Sequence, residues 1–174
     1  MGESDWLLDH VRDVADFPRA GVVFKDLTPA MADPSVFYRT VSELADRLAP
    51  RRPSVVLGIE SRGFIYGAPV AGALGVGFVP VRKPGKLPRE TVQQTFELEY
   101  GVDAVEIHAD AIGEGDRVAV VDDVLATGGT AAATIELVER CGGIVAGVSV
   151  LLELGFLDPR SKLPGTPVHS LLST

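Results

Sequence analysis

The chain has 174 residues, 46% of them hydrophobic, enough to build the core of one domain. Its formal net charge of −8 excludes general nucleic-acid binding, which calls for a basic balance. The single cysteine, Cys141, excludes an internal disulfide or a cysteine-rich zinc site, and no apolar run is long enough to span a membrane. The start MGESDWLLDH lacks the basic stretch and apolar block of a secretory signal, so a cytoplasmic location is expected.

Ser4 can cap a first helix running to about Val14, with Trp6, Leu7, His10, Val11 and Val14 on one face. Phe17 to Pro29, punctuated by Pro18, Gly21 and Pro29, reads as irregular. Pro34 to Leu48 has helical spacing, with Phe37, Val41, Leu44 and Leu48 as its apolar stripe, and Pro50 and Pro53 end it. Val55 to Ile59 reads as a buried strand. Gly63 to Leu74 reads as a helix of small residues, interrupted in its spacing by Pro69, and Phe78 to Val81 as the next strand. Arg82 to Arg89 is a Pro/Gly/Lys loop that holds four of the sixteen Lys and Arg residues. Gln94 to Tyr100 and Val102 to Ile107 alternate on either side of Gly101, which predicts a hairpin. Val118 to Val121, Ile144 to Leu152 and Val168 to Leu172 complete the strands. Strand and helix patterns alternate, which predicts one α/β domain with a mainly parallel central sheet flanked on both faces by helices.

The stretch VAVVDDVLATGGT, Val118 to Thr130, carries the clearest chemistry. A continuous apolar run fits a strand buried on both faces, and ligands of open α/β sheets collect at the carboxyl ends of such strands. Asp122 and Asp123 stand at that end. Neighbours on an extended chain point to opposite sides, so the two acids have two jobs. Their carboxylates suit ribose hydroxyls or a hydrated metal ion. In Ala126-Thr127-Gly128-Gly129-Thr130 the glycines let the backbone curl around an anion, and Thr130 leads into a helix whose free N–H groups favour phosphate. Neither a Walker A loop nor a dinucleotide fingerprint is present here.

VVDDVLATGGTA resembles the phosphoribosyl-pyrophosphate (PRPP) signature of the type I phosphoribosyltransferases. FPRAGVVFKDLTP, GIESRGFIYG, VRKPGKLP and FELEYG resemble, in that order along the chain, the branch of the family that uses adenine. The resemblance implies the type I phosphoribosyltransferase fold over residues 1–174, with a small N-terminal hood of about residues 1–34 over the base pocket and a flexible β-hairpin loop. It implies purine salvage in which PRPP and adenine are the substrates, Mg²⁺ is the cofactor and the protein is a homodimer. Another base (xanthine, guanine or orotate), or a regulator that senses PRPP without catalysis, stands as the alternative.

Carried over residue by residue, the resemblance assigns the 5-phosphate to Ala126–Thr130 and the ribose hydroxyls and Mg²⁺, through water, to Asp122 and Asp123. Ser61 and Arg62 fall to the pyrophosphate, with a cis peptide at Glu60–Ser61. Arg62 reads otherwise as a solvated helix-start residue. Arg82, Lys83 and Lys86 fall to the pyrophosphate as part of a mobile lid, where the residues alone allow an ordinary solvated loop. Val23, Phe24 and Lys25 fall to the adenine, although Phe24 by itself reads as a core residue. Glu99 falls to proton movement at the base and Tyr100 to the ribosyl region, and Glu99 reads equally as an exposed strand residue.

Overall fold

The computed structural model describes residues 5–98 and 101–174. In chain order the elements are α1 (Asp5–Leu8), β1 (Arg12–Ala15), β2 (Val23–Asp26), α2 (Thr28–Ala32), α3 (Pro34–Leu48), β3 (Val55–Ile59), α4 (Gly63–Leu74), β4 (Gly77–Val81), β5 (Thr91–Leu98), β6 (Gly101–His108), β7 (Arg117–Leu125), α5 (Gly129–Arg140), β8 (Ile144–Glu153) and β9 (Val168–Ser173), with short 3₁₀ turns at Ala49–Arg51, Gly155–Leu157 and Pro159–Lys162.

Five strands pair in the order β4-β3-β7-β8-β9, all parallel. The apolar runs dictate this arrangement. Every residue of β3 is buried, and so are Val118 to Val121 of β7, as a parallel strand covered on both faces requires. Side-chain alternation splits the core in two. Val56, Ala119 and Val121 pack with α3 and α4, while Val55, Leu57, Val118 and Val120 pack with α5 and the hairpin. Each half buries some eighteen residues, so the central strands are held from both sides.

The helix over Pro34 to Leu48 forms as the spacing predicts. Asp33 caps it by accepting from the N–H groups of Ser35 and Val36, with Pro34 in the first turn. Pro69 does not break α4. The carbonyl of Ile65, which loses its partner to the proline, belongs to a residue 43% exposed, where water can serve. The hairpin also forms, β5 pairing antiparallel with β6 from Thr91↔His108 to Leu98↔Gly101.

The N-terminus differs from expectation. The first helix ends at Leu8, and Arg12 to Ala15 extends to pair with Val23 to Asp26, inside the segment that reads as irregular. One turn of helix already buries Leu7 completely and packs Trp6 against the core, so the stripe needs no second turn. Val14 then pairs opposite Phe24. Asp16 (φ 57°) and Gly21 (φ 82°) turn the ribbon, and the Asp16 carboxylate accepts from the Gly21 N–H at 2.7 Å. Ser4 lies outside the described residues.

Candidate active site

β7 runs further than its neighbour β3: pairing between them ends at Val121, while pairing with β8 continues to Leu125. Asp122 and Asp123 therefore project into a gap beside the end of β3. Asp122 borders the turn that leads into α5 and sets its Oδ1 against Gly63, whereas Asp123 turns to Arg62. The two carboxylates thus meet different surroundings.

Asp123 is 4% exposed and forms an ion pair with Arg62, at the start of α4. The Arg62 guanidinium also lies over the Phe24 ring, 5.4 Å from its centre. One arginine therefore bridges the acidic step and the N-terminal ribbon. Asp122 Oδ1 accepts the Asp123 N–H at 2.9 Å. Burial, and then the neighbouring Asp123 carboxylate, push the Asp122 carboxyl well above the usual aspartate range, because both penalise its charged form. Close packing sets this step: a Cβ on Gly63 would fall 2.8 Å from Asp122 Oδ1 and 2.9 Å from the Val121 carbonyl, so α4 can start here only with glycine.

Beyond β7 the chain turns at Thr127 and Gly128 into α5. Gly128 has φ 78°, and a Cβ there would lie 2.5 Å from the Pro159 carbonyl oxygen. The first backbone bond at this end runs from the Ala132 N–H to the Gly128 carbonyl at 2.9 Å, which leaves the N–H groups of the first turn open. Sequence spacing set the helix start at Thr130, and the helix begins one residue earlier, at Gly129. A recess of about 80 Å³ follows this turn, lined by Asp122 and by Ala126 to Thr130.

The recess adjoins a cleft of about 450 Å³. Val23, Phe24 and Lys25 line one wall, Asp122, Asp123, Ala126 and Thr130 another, and Ser61, Arg62 and Lys83 the edge between. β2 has β1 as its strand neighbour, so alternate backbone groups on its other edge are left without a strand partner. Phe24 packs edge-on against Phe17 at 5.2 Å, and the Lys25 ammonium pairs with Asp13 at 2.7 Å.

The basic loop is not free of the body. The Glu60 carboxylate accepts from Arg82 Nε (3.1 Å), the Lys83 N–H (2.9 Å) and the Lys86 ammonium. Lys83 pairs with Asp103 and Arg89 with Asp110. Burial pushes the Glu60 carboxyl up, but hydrogen bonds from Lys86, Arg82 and the Lys83 amide outweigh it and hold it at about 2. In the structure the loop expected to act as a lid is tied to the body by carboxylates, and of its cations Lys83 lines the cleft. Arg82 and Lys86 stand behind Glu60.

Glu99 and Tyr100 lie outside the described residues. The peptide Glu60–Ser61 is cis. Sequence reasoning passed over Glu60, Val124 and Leu154, which also line the cleft. A signal for Glu60 existed: Arg82 to Arg89 contains four cations and no acid, so its acceptors had to come from elsewhere in the chain.

A parallel sheet ending in an acidic step, a glycine-built helix entrance and an adjoining basic loop defines a protein that handles phosphorylated sugars. The chain belongs to the phosphoribosyltransferase family, the phosphoribosyl transferase domain matching residues 37–163. Adenine phosphoribosyltransferase of Desulfitobacterium hafniense is 53% identical over 163 residues, 94% of this chain and 94% of that one. The crystal structure of adenine phosphoribosyltransferase from Thermoanaerobacter pseudethanolicus is 50% identical with a TM-score of 0.95, covering 98% of this chain and 99% of that one. The enzyme of Saccharomyces cerevisiae, solved with adenine and an imino-altritol bisphosphate, is 42% identical with a TM-score of 0.92, covering 97% and 98%. The fold expected from the sequence, α/β of the type I phosphoribosyltransferase kind, is the fold found.

Proposed function

We propose that this chain transfers the 5-phosphoribosyl group of PRPP to adenine, giving AMP and pyrophosphate. The observation that carries the reading is the bridge made by Arg62, which ties the acidic step of β7 to the aromatic ribbon across one cleft.

The 5-phosphate sits in the recess at Ala126 to Thr130, where open N–H groups and the positive end of α5 meet its charge. Asp122, facing the recess, takes the ribose hydroxyls, and Asp123 stays behind to hold Arg62. Adenine stacks on Phe24, and the unpaired edge of β2 at Val23 and Lys25 reads its polar edge through the backbone. This leaves the Lys25 side chain free to pair with Asp13. Ser61, Arg62 and Lys83, with Arg82 and Lys86 behind them, offset the charge that grows on the departing pyrophosphate. The sugar carbon turns oxocarbenium-like, a state that nearby carboxylates favour. Adenine attacks the face opposite the leaving group, and placement of the two substrates supplies much of the acceleration. Glu99 assists proton movement at the base, and Tyr100 covers the ribosyl region.

Mg²⁺ fits this donor set. Among the described residues no cluster of three metal-ligating side chains exists, so the hard oxygens of Asp122 and Asp123 would share the ion with water and substrate. Bound there, Mg²⁺ would neutralise part of the diphosphate charge. The exposed positions of α4, Ile65, Ala68, Gly72 and Ala73, are all apolar, which supports a homodimer. No described helix is long and apolar enough to cross a membrane, and we assign the enzyme to the cytoplasm.

The test is pyrophosphate release from PRPP with a panel of bases, with and without Mg²⁺. Release with adenine and Mg²⁺ is expected. Preference for guanine, xanthine or orotate would overturn the base assignment, and PRPP binding without release would make the chain a sensor.

A further inference from the structure

Glu60 is the point at which the basic loop is fastened to the sheet. It follows the last residue of β3, and its own N–H donates to the Val81 carbonyl at 2.9 Å. Its side chain is 11% exposed, and both carboxylate oxygens are engaged. Oε2 accepts from Arg82 Nε at 3.1 Å and from the Lys83 N–H at 2.9 Å, while Oε1 accepts from Arg82 Nη2 at 3.4 Å and from the Lys86 ammonium. Arg82 is thereby held along its Nε/Nη2 edge by both carboxylate oxygens, and the Lys86 ammonium joins them at Oε1. Arg82 also donates to the Lys86 carbonyl at 3.2 Å, so the loop is stitched to itself through the same guanidinium.

We propose that Glu60 is a positioning residue for the pyrophosphate end of PRPP: it presets Arg82–Lys86 so that Lys83 enters the cleft before substrate arrives. This rests on the transfer reading above. The backbone at Lys83 is fixed by Glu60, whereas its ammonium is held by Asp103 and lies 5.6 Å from the Phe96 ring centre. The side chain can exchange a single half-buried carboxylate for the more highly charged diphosphate without the backbone moving. Preorganisation of this kind lowers the ordering cost of binding. Held at about 2, the Glu60 carboxyl is ionised throughout the working pH range. A neutral glutamine keeps the shape but offers one acceptor oxygen where four donors converge, so the loop loses its anchor and the adenine wall is untouched.

The experiment is steady-state kinetics of Glu60→Gln and Glu60→Asp, read with hydrogen–deuterium exchange. For Glu60→Gln we expect kcat/KM for PRPP to fall about tenfold, chiefly through KM, with KM for adenine within about twofold. The Lys83 amide should exchange about tenfold faster while the β7 amides keep their protection. Glu60→Asp retains the charge and should recover part of both effects. Equal loss toward both substrates, or unchanged Lys83 exchange, overturns the proposal. Should Glu60→Gln not fold, the same readouts on Glu60→Asp decide it, with smaller shifts in the same directions expected and no shift contradicting it. Wild-type protein that releases no pyrophosphate sinks the transfer reading instead, and the exchange result still reports whether Glu60 anchors the loop.

Discussion

The cleft has two walls built by different means. The sugar-phosphate wall grows out of the central sheet. Asp122 and Asp123 prolong a strand whose preceding four residues are buried, and the turn that follows is shaped by Gly128 against Pro159. The base wall is a two-stranded ribbon of four residues each, and its cleft-lining Val23 is 55% exposed. On the proposed reading the first wall would hold its ligand with backbone groups and charges set by the buried sheet, and the second with one aromatic ring and an unpaired strand edge. Transfer chemistry would thus be mounted on the buried sheet, and recognition of the base on the more exposed ribbon.

That contrast can be broken by substitution. The double change Asp122→Asn and Asp123→Asn should cut turnover about a thousandfold, since stabilising charge at the reacting centre contributes most of the acceleration at such sites. Circular dichroism should show the fold retained, and full turnover in a pyrophosphate assay would refute the assignment. Gly128→Ala forces a Cβ to 2.5 Å from the Pro159 oxygen. It should lower kcat/KM for PRPP about a hundredfold by displacing the phosphate turn, while the KM for adenine measured alongside holds. Phe24→Ala should do the reverse, raising the KM for adenine about tenfold, as loss of one stacked base predicts, with PRPP little affected. If either change struck both substrates equally, the two walls would not be separate.

Acid stability sharpens the picture further. The folded-state pKa of Glu60, about 2, lies below its usual 4.5, so its ion pairs stabilise the fold above pH 4.5 and that contribution is lost as pH falls toward 2. Denaturant midpoints followed down this window should fall for the wild type and fall less for Glu60→Gln. The smallest effect is expected from Asp33→Ala. It removes the cap of α3, far from either wall, and should lower the thermal midpoint by a few degrees without moving either KM.

The two walls were also unequally legible in the sequence. VVDDVLATGGT could be read because everything it does is local: an apolar run, an acidic pair and a glycine turn follow one another within one strand-to-helix step. The ribbon could not, because β1 and β2 stabilise each other across a turn and no periodicity within Arg12 to Ala15 announces the partner. The helical stripe from Trp6 to Val14 was real as far as Leu7, whose burial needs only one turn. Long-range ion pairs stayed hidden for the same reason. Arg62 finds Asp123 from 61 residues away, and Glu60 finds Arg82 and Lys86 from 22 and 26. Charge counts in the loop implied acceptors without saying where they stood.

The central claim, that one edge of the sheet grips the phosphorylated sugar, is tested most directly by a crystal structure with adenine and a stable ribosyl-phosphate analogue. The account predicts the 5-phosphate within hydrogen-bonding distance of the N–H groups of Thr127 to Thr130, the sugar hydroxyls at Asp122 and the purine against Phe24. A phosphate bound at the basic loop, with the Thr127 to Thr130 turn empty, would contradict it.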